Sequence, residues 1–565
     1  MKTLLSILLL TYAVPSFGQW SGNPATNTPI CIAPDIQDLP QLVSDGIGGA
    51  IITWLDWRNG PGDIYAQRIG ANGFVQWTTD GISVCSNAIT QNRPMMVSDG
   101  TGGAIIVWED LRNGGGVNDI YAQRINSSGV AQWVSNGIPV CTAVGAQSRP
   151  MIATDGAGGA IITWYDQRTS GQYDNYAQRV NAGGVVQWAT NGVALCPNTA
   201  SQIDPKIIAD GAGGAIVVWK DNRTNTQTDI YAQRINGNGV IQWSTSGLAI
   251  CVLRRQQWAP SIAPDGNGGA IIAWADQRDT IAIPFTDDIY AQRVDSSGNR
   301  LWAPDGAAIC TEPGDQRGPI ILPDAGGGAI ITWYDTRNGS SNRDIYAQRV
   351  GPFGFAVWSS GGVPICTAVN DQDWANPISD GNGGAIISWE DERAGGSNRH
   401  VYAQRVNASG AVQWAANGVA IGTAPGYKSF SQILPVATGD GIITWGDERS
   451  GSNNRNIFAQ RINNNGTLTS VRLSEQIPAS FSLEQNYPNP FNPTTVIQFS
   501  VGTYGHTSLR VYDILGREVR TLVNENLSAG SYSVTFNAEG LSSGVYLSRL
   551  TSGGLSLSRK LLLTN

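Results

Sequence analysis

The stretch DGTGGAIIVWEDLRNGGGVNDIYAQR begins at Asp99, and close copies begin at Asp45, Asp155, Asp210, Asp265, Asp324 and Asp380. An eighth, damaged copy contains GIITWGDERSGSNNRNIFAQR around Trp445. A period of roughly 55 residues lies in the range of solenoids and propellers, in which a unit buries its apolar face only against its neighbours. Each unit holds four extended pieces, typified by PMMVSDG, GGAIITW, DIYAQRI and VIQWSTSGLAIC. Gly, Asn and Asp punctuate every join, and no piece carries a 3.6-residue apolar stripe. Four antiparallel strands repeated eight times predict an all-β chain built as a β-propeller.

A propeller must close. The segment QWSGNPATNTPIC, from Gln19 to Cys31, has the character of a fourth strand with no strands before it, while the eighth unit stops after its third strand at RINNNG. The N-terminal segment is therefore expected to complete the last sheet beside Phe458, which leaves no open edge. The prediction is an eight-bladed ring over residues 19–473; seven blades with an orphan unit is the alternative.

Composition narrows the partners. A net charge of −8 and a pI near 5.0 argue against nucleic acid and anionic membrane surfaces, which need clustered Lys and Arg. Residues 1–18, MKTLLSILLLTYAVPSFG, read as a secretory signal with Lys2, an apolar core and small residues at Ser16 and Gly18. No later apolar run approaches the ~20 residues of a transmembrane helix, so no such segment is expected. Seven cysteines fall one per repeat, too far apart for bridges, and are read as small buried residues, with Gly422 in the eighth slot.

The repeat itself is rich in polar residues that look like scaffold. Asp56 and Arg58, Asp110 and Arg112, and Asp166 and Arg168 open the series, and a further Asp starts the third strand in six units, such as Asp63 and Asp229. Each Arg is expected to fork between the two carboxylates and pin its loop. Gln91, Gln147, Gln202 and Gln257, six residues after each Cys, are expected to satisfy loop backbone groups. The DGxGG turns lack the spaced acidic ligands of a calcium loop and any GK[ST], so neither metal nor cofactor is predicted. His400 and His506 are the only histidines, which leaves the ring almost no base for a Ser-His-Asp or Cys-His site. GLSSG at Gly540 to Gly544 has no helix after it and is read as a chance match to G-x-S-x-G. No catalytic residue is assigned, and paired carboxylates remain open.

Variation within the repeat points elsewhere. The joins between strands two and three, and from strand four to the next unit, are long and irregular and share one face. Sixteen of the 19 tryptophans occupy the two repeat slots; Trp57, Trp258 and Trp374 do not, and are assigned to loops of the variable face. Tyr173, Phe285, Tyr427, Phe430, Arg254 and Arg255 fall there too. Aromatics beside Arg, Gln and Asp suit a sugar ring or an extended peptide.

Two resemblances carry names. Asp110, Arg112, Asp119, Ile120 and Tyr121 and their equivalents resemble the repeats of TolB-type propellers, which implies fold and no activity. From about Ala479 the blade pattern ends, and runs such as TTVIQFSV, LRVYDIL and YSVTFNA indicate a small immunoglobulin-like β-sandwich over residues 486–565, after a linker at 474–485. NYPNPFNPTT (Asn486, Tyr487, Pro488, Asn489, Pro490, Phe491, Asn492, Pro493 and onward), VYDILGREVRTL and the closing SRKLLL resemble the type A C-terminal sorting domain of the type IX secretion system, found in Bacteroidota and relatives. That resemblance implies recognition by the type IX machinery, passage through the outer membrane, removal of the tail, and delivery to the cell surface or beyond. The expected protein is thus an exported binding or adhesion propeller with a glycan or protein ligand. A secreted polysaccharide- or peptide-acting hydrolase or lyase, or a structural surface component, are the rival readings.

Overall fold

The computed structural model describes residues 20–564 apart from 170, 198–199, 225–226, 279–284, 325, 437–438, 470–480, 502–504, 528–529 and 554. The expected signal segment and residues 474–480 of the expected linker lie outside the described residues. The chain divides into two compact units, Met1–Ser470 and Val471–Asn565. Among the described residues there is no helix.

The first unit consists of eight four-stranded antiparallel sheets in a propeller-like arrangement. In the first repeat the strands are Gln37–Ser44, Ala50–Asp56, Asp63–Ile69 and Ile82–Cys85, paired in that order. The second strand is buried along its whole length, as its run of β-branched and aromatic residues requires. The fourth strand is shorter than expected. Asp80 and Gly81 both take left-handed φ and break the extended run, so Trp77 sits ahead of the strand in a turn.

Polar residues hold each repeat in one pattern. Asp45 Oδ1 accepts from Gly49 N at 2.8 Å and closes the DGxGG turn, while its other oxygen pairs with Arg68 at 3.0 Å. Gly49 admits no side chain, because a Cβ there would stand 2.2 Å from Ile69 O. Asp56 accepts from Trp54 Nε1 at 2.7 Å and from Arg58 Nε and Nη2 at 2.8 and 2.5 Å. Arg58 does not fork to the second carboxylate. Its remaining reach goes to Asp80 O at 2.8 Å and to Cys31 Sγ at 3.0 Å, and its guanidinium stacks over Tyr65. Asp63 instead takes Asn59 Nδ2 at 3.2 Å. The glutamine amides do bond loop carbonyls, as Gln147 does to Gly145 O at 2.8 Å; in the eighth repeat buried Lys428 takes over that task.

The junction between the last and first repeats of this unit repeats the ordinary junctions. The eighth sheet takes its outer strand, Thr28–Cys31, from the N-terminus, and Pro29 lies opposite Phe458. Trp20 Nε1 donates to Ala71 O at 2.8 Å as Trp77 Nε1 donates to Ser127 O at 3.2 Å. Gln37 N bonds Arg455 O at 2.8 Å as Gln91 N bonds Gly62 O at 2.7 Å. The first strands of successive sheets touch in cyclic order, with Lys428–Val436 meeting Gln37–Ser44. All seven cysteines are free and buried.

The second unit has two sheets, one of Ser482–Leu483, Thr494–Val501 and Gly530–Asn537, the other of Glu518–Leu527, Gly505–Tyr512, Gly544–Ser552 and Leu555–Leu563. Ile497, Phe499 and Phe536 from one meet Leu509, Val511, Leu550 and Leu561 from the other in a single core. Leu483 is buried in it, so the sandwich begins inside the stretch expected to be linker.

Candidate functional site

Every first strand carries the same irregularity. In the first repeat Asp38 faces Leu55 and Gln41 faces Thr53, so Leu39 and Pro40 share the one position opposite Trp54. A bulge of this kind re-aims a side chain out of the ladder. Its first residue has left-handed φ in all eight repeats: Leu39 (+52°), Arg93 (+50°), Arg149 (+53°), Asp204 (+57°), Ala259 (+50°), Gly318 (+61°), Trp374 (+56°) and Phe430 (+55°). That conformation costs an ordinary residue about 1–2 kcal/mol. Glycine would relieve it, yet only one repeat uses glycine. The next residue is proline in six repeats, where the broken ladder needs no N–H.

Because the first strands meet in cyclic order, the eight bulge residues form a ring at the end of the sheets that carries the irregular joins. At this position eight repeats use seven residue types, while the Gln two residues earlier is the same in seven. Three consecutive positions, Arg93, Arg149 and Asp204, are charged, and two, Trp374 and Phe430, are aromatic. Between these arcs Ala259 and Gly318 leave room, and a cavity of about 570 Å³ opens there. Trp258, Trp374 and Tyr334 wall it, with Pro260, Pro319 and Ile320, and Lys206 lies two residues further down its strand than Asp204. Trp374 is 55 % exposed. A second cavity of about 650 Å³ adjoins through Asp204 and is lined by Arg93, Glu109, Arg149, Tyr165 and Tyr173.

Ion pairs fix most of the charged groups. Asp204 accepts from Tyr165 Oη at 2.6 Å and pairs with Lys220, and these contacts hold its carboxyl below the usual range against burial. Arg343 bridges Asp371 at 2.8 Å and Asp373 at 2.9 Å, and buried Arg399 joins Asp373 to Glu390. Burial pushes the Glu390 carboxyl up, while the Ser431 N–H at 2.9 Å pulls it back; Arg399 lies 3.1 Å from it. Trp258 Nε1 donates to Asp287 Oδ1 at 2.7 Å, and Arg317 grips the other oxygen at 2.5 Å, which locks the indole beside the cavity.

The cavity thus gathers Trp258 and Trp374, which lie in first strands and not in loops, because each sits at or beside the bulge. Tyr173 lines the adjoining cavity. The other expected residues stand apart. Trp57 borders a separate depression with Asp35 and Asn453. Arg255 stacks on Phe285 at 4.0 Å, Arg254 is exposed, and Tyr427 Oη accepts from Arg399 at 2.5 Å. Asp204, Lys206, Ala259 and Gly318 were not anticipated. The signal was present: the eighth residue after each Cys slot changes from repeat to repeat, two residues after a Gln that is constant in seven of the eight.

In the second unit the NYPNPFNP stretch ties the first strands to the last. Buried Asn486 donates to Pro488 O at 3.0 Å and to Thr495 Oγ1 at 2.9 Å; Asn489 Oδ1 accepts from Leu562 N at 2.8 Å; Phe491 fills the core and bridges to Leu563. Residues 485–564 match the family model described as the secretion system C-terminal sorting domain. The tail is a type IX sorting domain. A sorting domain directs export through the type IX machinery to the cell surface or the extracellular space. Among the described residues no helix is long and apolar enough to cross a membrane.

No curated protein matches the chain. Among solved structures it is similar to an ulvan lyase of polysaccharide lyase family 25 (13 % identity, 68 % of this chain and 97 % of that one, TM-score 0.40). It is also similar to an α-L-arabinanase of Penicillium chrysogenum (11 %, 78 % and 99 %, TM-score 0.32) and to a protein of unknown function from Dyadobacter fermentans (10 %, 57 % and 98 %, TM-score 0.31).

Proposed function

We propose that the eight sheets are the blades of a closed propeller, and that the sorting domain, of immunoglobulin-like type, exports it as a binding protein. The ligand, a glycan or an extended peptide, enters the mouth framed by the bulge ring. One observation carries this reading: a position that uses seven residue types in eight repeats is held, at a cost in backbone strain, in a ring of which four members, Asp204, Ala259, Gly318 and Trp374, line one cavity. Packing alone would favour the same residue in every repeat, as it does for Trp54, Asp56 and Arg58.

The test is a glycan and peptide array probed with the exported protein and with Trp258→Ala and Trp374→Ala. Loss of signal in both variants is expected; equal signal would remove the aromatic platform. A hydrolase or lyase would instead show turnover on a polysaccharide panel, and a structural component would self-assemble without a ligand.

A further inference from the structure

Resting on the mouth as the binding site, we propose that its ligand is an acidic polysaccharide, with one anionic substituent on Lys206 Nζ and a sugar face against Trp374. The charges lining the cavity are otherwise committed. Asp204 pairs with Lys220, Asp373 with Arg343 and Arg399, and Arg343 with Asp371 as well. Lys206 is the exception among the described lining residues, for its ammonium makes no hydrogen bond or ion pair. Its side chain is exposed on the cavity beside Trp374 and leaves the ammonium open to a ligand. Such an ammonium can donate charge-assisted hydrogen bonds to an incoming anion. The rest of the wall, indoles and prolines with a small-residue floor, suits the apolar face of a sugar.

A sugar is favoured over an acidic peptide by the strands themselves. Each first strand is the free edge of its sheet and could in principle accept a peptide as a fifth strand. The bulge and its proline interrupt that edge at the cavity, in the fifth and sixth sheets through Pro260 and Pro319. Peptide addition is thus interrupted beside Trp258 by bulge and proline, and beside Trp374, where Ala375 replaces the proline, by the bulge alone.

The experiment titrates the full exported chain with an oligouronate, its carboxyl-reduced neutral counterpart, a sulfated oligosaccharide and polyglutamate. Binding of the uronate or the sulfated probe is expected, at least tenfold tighter than the neutral counterpart and weakening with salt. Lys206→Met should lose about tenfold and Lys206→Arg should stay within about threefold. Equal binding of the charged and reduced probes, an unaffected Lys206→Met, a preference for polyglutamate, or no binding of any acidic sugar would overturn the proposal. If Trp374→Ala weakens binding of a neutral glycan that Lys206→Met leaves unchanged, the mouth stands and the anion assignment falls.

Discussion

Cys31 Sγ lies 3.0 Å from Arg58 Nη2, joining a strand of the last sheet to the turn that follows the second strand of the first. The same contact recurs between Cys85 and Arg112 at 3.3 Å and between Cys366 and Arg393 at 3.1 Å. Where the slot holds Gly422, Arg449 turns to Asn27 Oδ1 at 3.0 Å instead. The first and last sheets of the first unit are thus held by the same chemistry as neighbours in the middle of the array.

Removing residues 20–31 should therefore expose the edge of Asn456–Ile462 and take away the partners of Arg58 and Arg449. Gel filtration should show self-association, and thermal unfolding a lower midpoint. Adding a synthetic peptide of residues 20–31 should restore both. A monomer with unchanged unfolding would contradict the pairing of Pro29 with Phe458.

The thiols should be inert. Burial pushes Cys85, Cys141, Cys251, Cys310 and Cys366 up to about 12, so the reactive thiolate is scarce at pH 8. Titration with a thiol-specific disulfide reagent should detect none of the seven cysteines in the folded protein and all seven in denaturant. Rapid labelling of even one in the native state would count against the packing of that junction.

Asp229 should set a pH dependence. Asn59, Asn113 and Asn338 donate to the Asp that opens their third strand, but Thr224 holds that place in the fourth repeat and bonds Gln227 O. Burial, with Asp221 nearby, raises the Asp229 carboxyl from 3.8 to about 6, and Arg223 and Gln227 offset only part of this. A raised acid binds its proton more tightly when folded, so its contribution is complete below about pH 4 and is lost as pH climbs through about 6. Asp229→Asn avoids that loss. After allowance for solvent screening the variant should gain roughly 1–2 kcal/mol at pH 7.5 and little at pH 4. Denaturant curves at the two pH values decide it; an equal gain at both would refute the charge explanation.

Gly318 tests the mouth without replacing an aromatic or a charged residue. A Cβ there would stand 3.0 Å from Tyr334 Cε1, and φ is +61°. Gly318→Leu should fill the cavity, abolish ligand binding and cost about 1–2 kcal/mol of stability. Binding preserved in this variant would place the ligand elsewhere.

In the tail, Asn486→Ala removes two buried hydrogen bonds and leaves Pro488 O without the Asn486 amide. The second unit should lose about 1–3 kcal/mol, read as a lower unfolding midpoint for that unit and reduced export. Unchanged unfolding and export would show that the clamp is dispensable.

Much of this was legible in the sequence because repetition multiplies the signal. One ambiguous strand becomes eight aligned copies, so the four pieces, the turn at Asp45 and the missing outer strand of the last sheet could be read from spacing. The partner of Arg58 was not. Spacing places Asp56 and Asp63 equally near it, and only the fold brings Cys31 in from the preceding sheet. The bulge escaped notice for a related reason: Leu39, Arg93 and Trp374 share no chemistry, and what unites them is a backbone angle. Trp258 and Trp374 were found because tryptophan off-pattern is conspicuous; Ala259 and Gly318, which make the cavity by being small, leave no such mark.

Interchangeable junctions have an implication for engineering. A unit cut between one Cys slot and the next carries its own staple and one side chain of the mouth, so exchanging units would reshuffle recognition one position at a time while the walls stay put. The proposed mouth would in that sense be modular, with addressable letters written on a frame that does not need to be redesigned when a letter changes.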